Sequence, residues 1–184
     1  MSSSRPVDPR RLDVARLAAA GAGVSGEWAQ EGFARLASAT LPAEAGAAAP
    51  VTYRADGGRA PLEGAGVQPL MRLEVDTTVR LECQRCLQPM AVPLHVGRRF
   101  FFVPGEDAAE ALDAESDDDV LALSPSFDLH GLVEDELLLA LPIVPRHEVC
   151  PVPVPLVFED DGAAMEAEDH PFAALAALKG SRPT

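Results

Sequence analysis

Met71-Arg72-Leu73-Glu74-Val75-Asp76-Thr77-Thr78-Val79-Arg80-Leu81-Glu82-Cys83 alternates strictly between two chemistries. Met71, Leu73, Val75, Thr77, Val79, Leu81 and Cys83 share one parity, while Arg72, Glu74, Asp76, Thr78, Arg80 and Glu82 share the other. Period-two alternation over this length predicts a β-strand with one buried and one wet face. Cys83 therefore falls at the inward parity, at the strand's end.

Beyond it, Gln84 to Pro89 reads as a turn. Met90 to Val103 reads as a returning strand, with Val92, Leu94, Val96, Phe100 and Phe102 on one parity. The result is a long hairpin with Cys83-Gln84-Arg85-Cys86 at its tip. The third cysteine of the chain lies in His147-Glu148-Val149-Cys150, so two short segments hold every thiol. Three cysteines and a histidine in two such pairs are the donor set of a structural zinc site. A redox pair is the other reading of a CxxC, but there the motif follows a strand and opens a helix whose N-terminus lowers the first thiol's pKa. Pro89 and the β-rich run after it oppose that helix.

Phe127 to Leu141 is the strongest helix candidate, since Leu129, Leu132, Val133, Leu137 and Ala140 follow helical spacing. Ser126 or Asp128 can cap its start, and Pro142 ends it. Glu134, Asp135 and Glu136 in its middle read as a solvated face rather than a carboxylate site. Pro142 to His147 is expected to run extended and to carry His147 and Cys150 back to the hairpin.

Around this centre, residues 1–11 read as a flexible arm and Leu12 to Pro42 as two short elements broken at Gly21 to Gly26. Ala43 to Pro50 reads as an Ala/Gly linker, and Val51 to Arg54 as a strand turned by Asp56-Gly57-Gly58. The expected fold is α+β: an antiparallel sheet with a long β-hairpin, one central helix and a short C-terminal helix. The predicted organisation is a single domain over 12–158 with a disordered acidic loop at about 105–120, then an acidic linker and the short helix over 159–184.

Charge supports the view of a folded body with acidic appendages. The chain of 184 residues has 29 acids against 15 bases, a net charge of −14. Glu106 to Asp119 holds eight acids and Glu159 to Asp169 six, with no base in either block. These account for the whole excess and leave the remainder balanced. Such blocks serve solubility, or engage a basic partner.

Several function classes find no support. No segment approaches the roughly 18 apolar residues of a membrane helix, and Arg16 with Gly21, Gly23 and Gly26 interrupts any export-type apolar run near the start. An odd number of cysteines fits a reducing, cytoplasmic setting. Phosphate-binding glycine loops and nucleophile elbows are missing from the sequence, and Lys179 is the single lysine. A Cys/His nucleophilic pair could be drawn from Cys83 or Cys86 with His95, His130 or His147, but nothing supplies a third, orienting group. The expectation is a protein that is not an enzyme.

Three ordered motifs carry a resemblance. Leu81-Glu82-Cys83-Gln84-Arg85-Cys86-Leu87-Gln88-Pro89-Met90, then Leu132 through His147 with Cys150, then Pro171-Phe172-Ala173-Ala174-Leu175-Ala176-Ala177-Leu178-Lys179 together resemble the bacterial large ribosomal RNA subunit accumulation protein family, the YceD-like proteins. The resemblance implies a cytoplasmic, non-catalytic factor supporting synthesis, processing or stability of 23S rRNA, and hence large ribosomal subunit assembly. It supplies no catalytic residue.

For contact with RNA, Arg72, Arg80, Arg85, Arg98, Arg99 and Arg146 fall on or beside the hairpin and the cysteines. Guanidinium forks grip phosphate bidentately and stack on bases. These arginines form the expected surface for pre-ribosomal RNA or a basic ribosomal protein, with no DNA or membrane partner expected. The metal expected is one structural zinc on Cys83, Cys86, His147 and Cys150. Two other functions follow from the same residues: a thiol redox module using Cys83 and Cys86, and a protein-interaction adaptor that does not touch RNA.

Overall fold

The computed structural model describes residues 8–42 and 48–152. Most of the expected arm, residues 43–47 of the Ala/Gly linker, and the acidic linker with its C-terminal helix lie outside the described residues.

The long alternating run forms the middle strand of a five-stranded sheet. In chain order the elements are α1 (Val14–Ala20), β1 (Gly23–Trp28), α2 (Ala34–Ala39), β2 (Val51–Leu62), β3 (Gly66–Glu82), β4 (Pro89–Val103), α3 (Glu106–Asp113), β5 (Asp119–Ala122) and α4 (Leu129–Leu139). The sheet order is β1-β2-β3-β4-β5. The first four strands form an antiparallel meander, and β5 returns parallel to β4 after α3. The α+β expectation holds, with a largely antiparallel sheet.

The inward parity of β3 builds the main core. Met71, Leu73, Val75, Val79 and Leu81 are buried, beside Val51, Tyr53 and Ala55 of β2 and Leu94, Val96, Phe100 and Phe102 of β4. Val14 and Leu17 of α1, Leu36 of α2, and Leu129, Val133 and Leu137 of α4 close over them. A second, smaller core of Leu62, Leu70, Phe101, Val103, Ala109 and Val120 sits on the opposite face of the sheet. Along Phe100 to Val103 the alternation gives way to four buried residues in succession. A strand covered on both faces is expected to show such a run.

The cover on that second face is α3, which corrects the expectation of a disordered acidic loop. Only part of residues 105–120 is irregular: Glu106–Asp113 is helical and Asp119–Ala122 is a strand. Ala109 provides the buried side of the helix, and Glu106 and Asp107 lie in its first turn, where the helix dipole favours negative charge. A count of acids overlooks both features.

Two glycine-rich stretches also differ from expectation. Asp56-Gly57-Gly58 is not a turn but the interior of β2. Gly57 is small because α1 crosses it: a Cβ there would lie 2.7 Å from the Leu17 carbonyl carbon, and the Gly57 amide donates to the Ala22 carbonyl at 2.8 Å. Likewise Gly23–Trp28 is a strand, with Gly26 placed under the Tyr53 ring.

The helix α4 is shorter than the predicted 127–141 but is capped as expected, the Asp128 carboxylate accepting from the Gly131 amide at 3.1 Å. Its acidic triplet is not a solvated face. Glu134 and Glu136 are both buried; Asp135 alone is open, pairing with Arg35. Glu134 accepts from the amides of Arg35 at 2.7 Å and Leu36 at 3.2 Å, and so closes the N-terminus of α2. Glu136 lies 3.7 Å from the Arg98 guanidinium, which Asp119 also engages.

Candidate metal centre

The hairpin ends in a tight turn built by its own backbone. The Cys83 amide donates to the Gln88 carbonyl at 3.0 Å, and the Leu87 amide donates to the Cys83 carbonyl at 2.8 Å. Leu87 takes a left-handed backbone, φ 58°. Among the described residues it is the one non-glycine to do so, an arrangement that usually needs surrounding structure to hold it. The turn leaves the Leu87 side chain in solvent.

The segment following α4 packs onto this turn. Ala140 ends the helix and the chain then runs without regular structure through residues 142–150. The Gln84 amide donates to the Pro145 carbonyl at 2.9 Å, which seats the segment against the hairpin tip. The His147 amide donates to Cys83 Sγ at 3.4 Å, and His147 Nδ1 lies 3.4 Å from Cys86 Sγ. All four candidate ligands are thereby brought together. The thiol sulfurs of Cys83, Cys86 and Cys150 and a ring nitrogen of His147 lie within 4.8 Å of one another. A zinc tetrahedron with bonds near 2.3 Å has edges of roughly 3.8 Å, so the cluster approaches that size. The cysteines are not joined by disulfides.

The donor set fits a metal ion. Thiolate and imidazole suit zinc, and four protein ligands close the coordination sphere, as in structural rather than catalytic sites. The electrostatics favour the thiolate at one ligand and oppose it at another. Burial pushes the Cys83 thiol up, but amide donation from His147, Cys86 and Arg85, with the His147 side chain, outweighs it and brings the pKa down to about 5. Cys86 shifts up, through burial and through its sulfur neighbours Cys150 and Cys83. Three sulfurs in contact cannot all carry charge without a cation among them.

One cation is already present. Arg85, between the two cysteines of the turn, donates through Nε to Cys150 Sγ at 3.0 Å and through Nη2 to the carbonyls of His147 at 3.1 Å and Glu148 at 3.4 Å. Spacing alone did not reveal this role; the signal was the placement of an arginine inside the CxxC.

The arginines do not form one face. Arg72 and Arg99 are cross-strand partners on the outer face, and Arg80 lies on the same parity opposite Ala91. Arg98 is opposite Leu73, on the core side, where Asp119 and Glu136 hold it. Arg99 pairs with Asp118, and Arg80 donates to the Pro42 carbonyl. Among the described residues no hydrogen bond or ion pair engages Arg72 or Arg146. Large apolar side chains stand in solvent around the turn and its docked segment: Leu87, Ile143, Val144 and Val149, with Ile143 99% exposed.

Residues 71–179 match the family described as large ribosomal RNA subunit accumulation protein YceD. The protein of that name from Haemophilus influenzae is 37% identical over 113 residues, 60% of this chain. The matched stretch spans 65% of that relative's length. No solved structure matches. The family match takes in β3 from Met71 on, β4, α4 and all four clustered ligands, and the chain belongs to the YceD family of large ribosomal RNA subunit accumulation proteins.

Proposed function

We propose that the protein is a non-enzymatic factor supporting the accumulation of 23S rRNA and the assembly of the large ribosomal subunit in the bacterial cytoplasm. The family match over residues 71–179 carries this reading. In it, one structural zinc on Cys83, Cys86, His147 and Cys150 staples the segment after α4 to the hairpin tip. Arg72, Arg80 and Arg99 on the outer face, with Arg146 beside the metal centre, contact phosphate. Arg85 and Arg98 are occupied within the fold, and Arg80 and Arg99 also hold partners there, so contact with phosphate would compete with those bonds.

The exposed apolar side chains of Leu87, Ile143, Val144 and Val149 favour a second reading, in which the surface around the metal centre docks a basic ribosomal protein and RNA contact is indirect. In-cell crosslinking with identification of RNA and protein partners separates the two.

The function is tested by deleting the gene and measuring 23S relative to 16S rRNA. The expected result is a fall in 23S and in complete large subunits, restored by the parent chain and poorly by a Cys83→Ser, Cys150→Ser double variant. Unaltered 23S levels would refute the reading. Metal analysis of protein purified under reducing conditions is expected to give about one zinc per chain.

A further inference from the structure

Arg85 is exposed at the rim of the cluster, yet it reaches both a ligand and the backbone of the docked segment. Of its neighbours there, one is a ligand sulfur, Cys150 Sγ at 3.0 Å from Nε, and two are the backbone carbonyls of His147 and Glu148, on the segment that carries His147 and Cys150. A guanidinium keeps its positive charge throughout any accessible pH range.

Charge counting gives this arrangement a purpose. A divalent ion with three thiolates and a neutral imidazole carries one net negative charge. A single guanidinium in contact with one of those sulfurs brings the assembly to neutrality. We infer that Arg85 is the built-in countercharge of the metal centre and the clamp of the His147–Cys150 segment, and that it protects the Cys150 thiolate from electrophiles and from loss of the ion. This rests on the zinc reading above and assigns the site's retention of metal to a residue that is not a ligand.

Two effects combine in this role. Donation of the Nε proton to sulfur withdraws electron density from the thiolate, lowering its nucleophilicity without displacing it from the ion. The Nη2 bonds to two successive carbonyls hold the segment in the conformation that points His147 and Cys150 inward. Neighbours that orient metal ligands typically change metal affinity by about 10- to 100-fold when removed. Lysine keeps the charge but cannot span a sulfur and two carbonyls with a planar fork, so Arg85→Lys is expected to fall between the parent and Arg85→Met.

The test uses the full zinc-loaded chain. Zinc release to a chromogenic chelator is followed with and without N-ethylmaleimide, for the parent, Arg85→Met, Arg85→Lys and Arg146→Met. Arg146→Met controls for the general effect of losing a positive charge beside the centre. Release from Arg85→Met is expected to be at least tenfold faster than from the parent, with Arg85→Lys intermediate and Arg146→Met within about twofold of the parent. Amide exchange of residues 147–150 provides a second readout, expected to quicken in Arg85→Met.

A zinc-loaded parent matched by Arg85→Met in release and in exchange would overturn the role of Arg85 and leave the zinc reading standing. Equal acceleration in Arg146→Met would overturn it in favour of general electrostatics. A parent that binds no zinc would overturn the zinc reading and the countercharge together.

Discussion

Glu134 and Glu136 lie two residues apart on α4 and titrate in opposite directions. Burial raises the Glu134 carboxyl, but the Leu36 and Arg35 amides and the Arg35 side chain outweigh it, so its pKa falls below the ordinary value of 4.5. Its stabilising contribution is therefore complete above about pH 4.5 and disappears as pH drops through the lower, folded value. Glu134→Gln is expected to lose about 1–3 kcal/mol at pH 7 by leaving the α2 amides poorly satisfied. In urea titrations the difference from the parent should shrink on acidification; a constant difference would refute the capping role. Glu136 is raised, by burial first, against the opposing pull of Arg98. The folded state keeps its proton longer than the unfolded chain, so stability declines as pH rises from 4.5 through the folded value. Glu136→Gln should remove that decline. From sequence both glutamates read as a wet helix face, because their partners are distant in the chain: Arg35 and Leu36 for one, Arg98 for the other. Cys83 was legible for the opposite reason, its inward parity being set by its own strand.

At the scale of elements, the acidic segment after β4 shows what a charge count hides. Eight acids without a base suggested a disordered loop, yet Asp118 and Asp119 pair with Arg99 and Arg98 across to β4. The Asp113 carboxylate accepts from the Val120 amide at 2.8 Å, joining α3 to β5. The readable signal lay in the preceding strand, where Phe101 and Val103 are apolar on the parity that is charged at Arg72 and Glu74 of its neighbour. Apolar residues on the wet parity require a cover, and α3 is that cover. Ala109→Asp would bury an unpaired carboxylate against Phe101 and Val120 and is expected to cost about 1–3 kcal/mol. Amide exchange over residues 106–113 should quicken in this variant while that of α4 remains slow. If those amides exchange freely in the parent as well, α3 does not cover the second core. The β3–β4 hairpin, by contrast, was legible almost residue by residue, because one-sided burial of an antiparallel pair writes its register into the sequence.

For the molecule as a whole, the proposed metal centre and the main core would be separate sources of order. The core under α1, α2 and α4 contains no metal ligand, whereas the centre joins the turn after β3 to the chain beyond α4, Cys83 and His147 being 64 residues apart. Structural zinc supplies roughly 10–16 kcal/mol in finger peptides that have no other core. Here the sheet provides its own, so removing the ion should unfold a part rather than the whole. Chelation under reducing conditions is expected to expose the amides of residues 83–88 and 142–150 to exchange, while those of β3 near Val75 and of β4 near Phe102 stay protected. Cys150→Ser should reproduce the pattern without chelator. Global loss of protection on chelation would mean that the hairpin depends on the ion for its pairing, and the staple would then be a nucleus of the fold. Protection unchanged everywhere would mean that the Gln84–Pro145 hydrogen bond and the Arg85 contacts hold the segment without a metal. The proposed function favours the first outcome: Arg146, Ile143 and Val149 all ride on the segment after α4, so an ion bound at the cluster would also order the surface proposed to meet a partner.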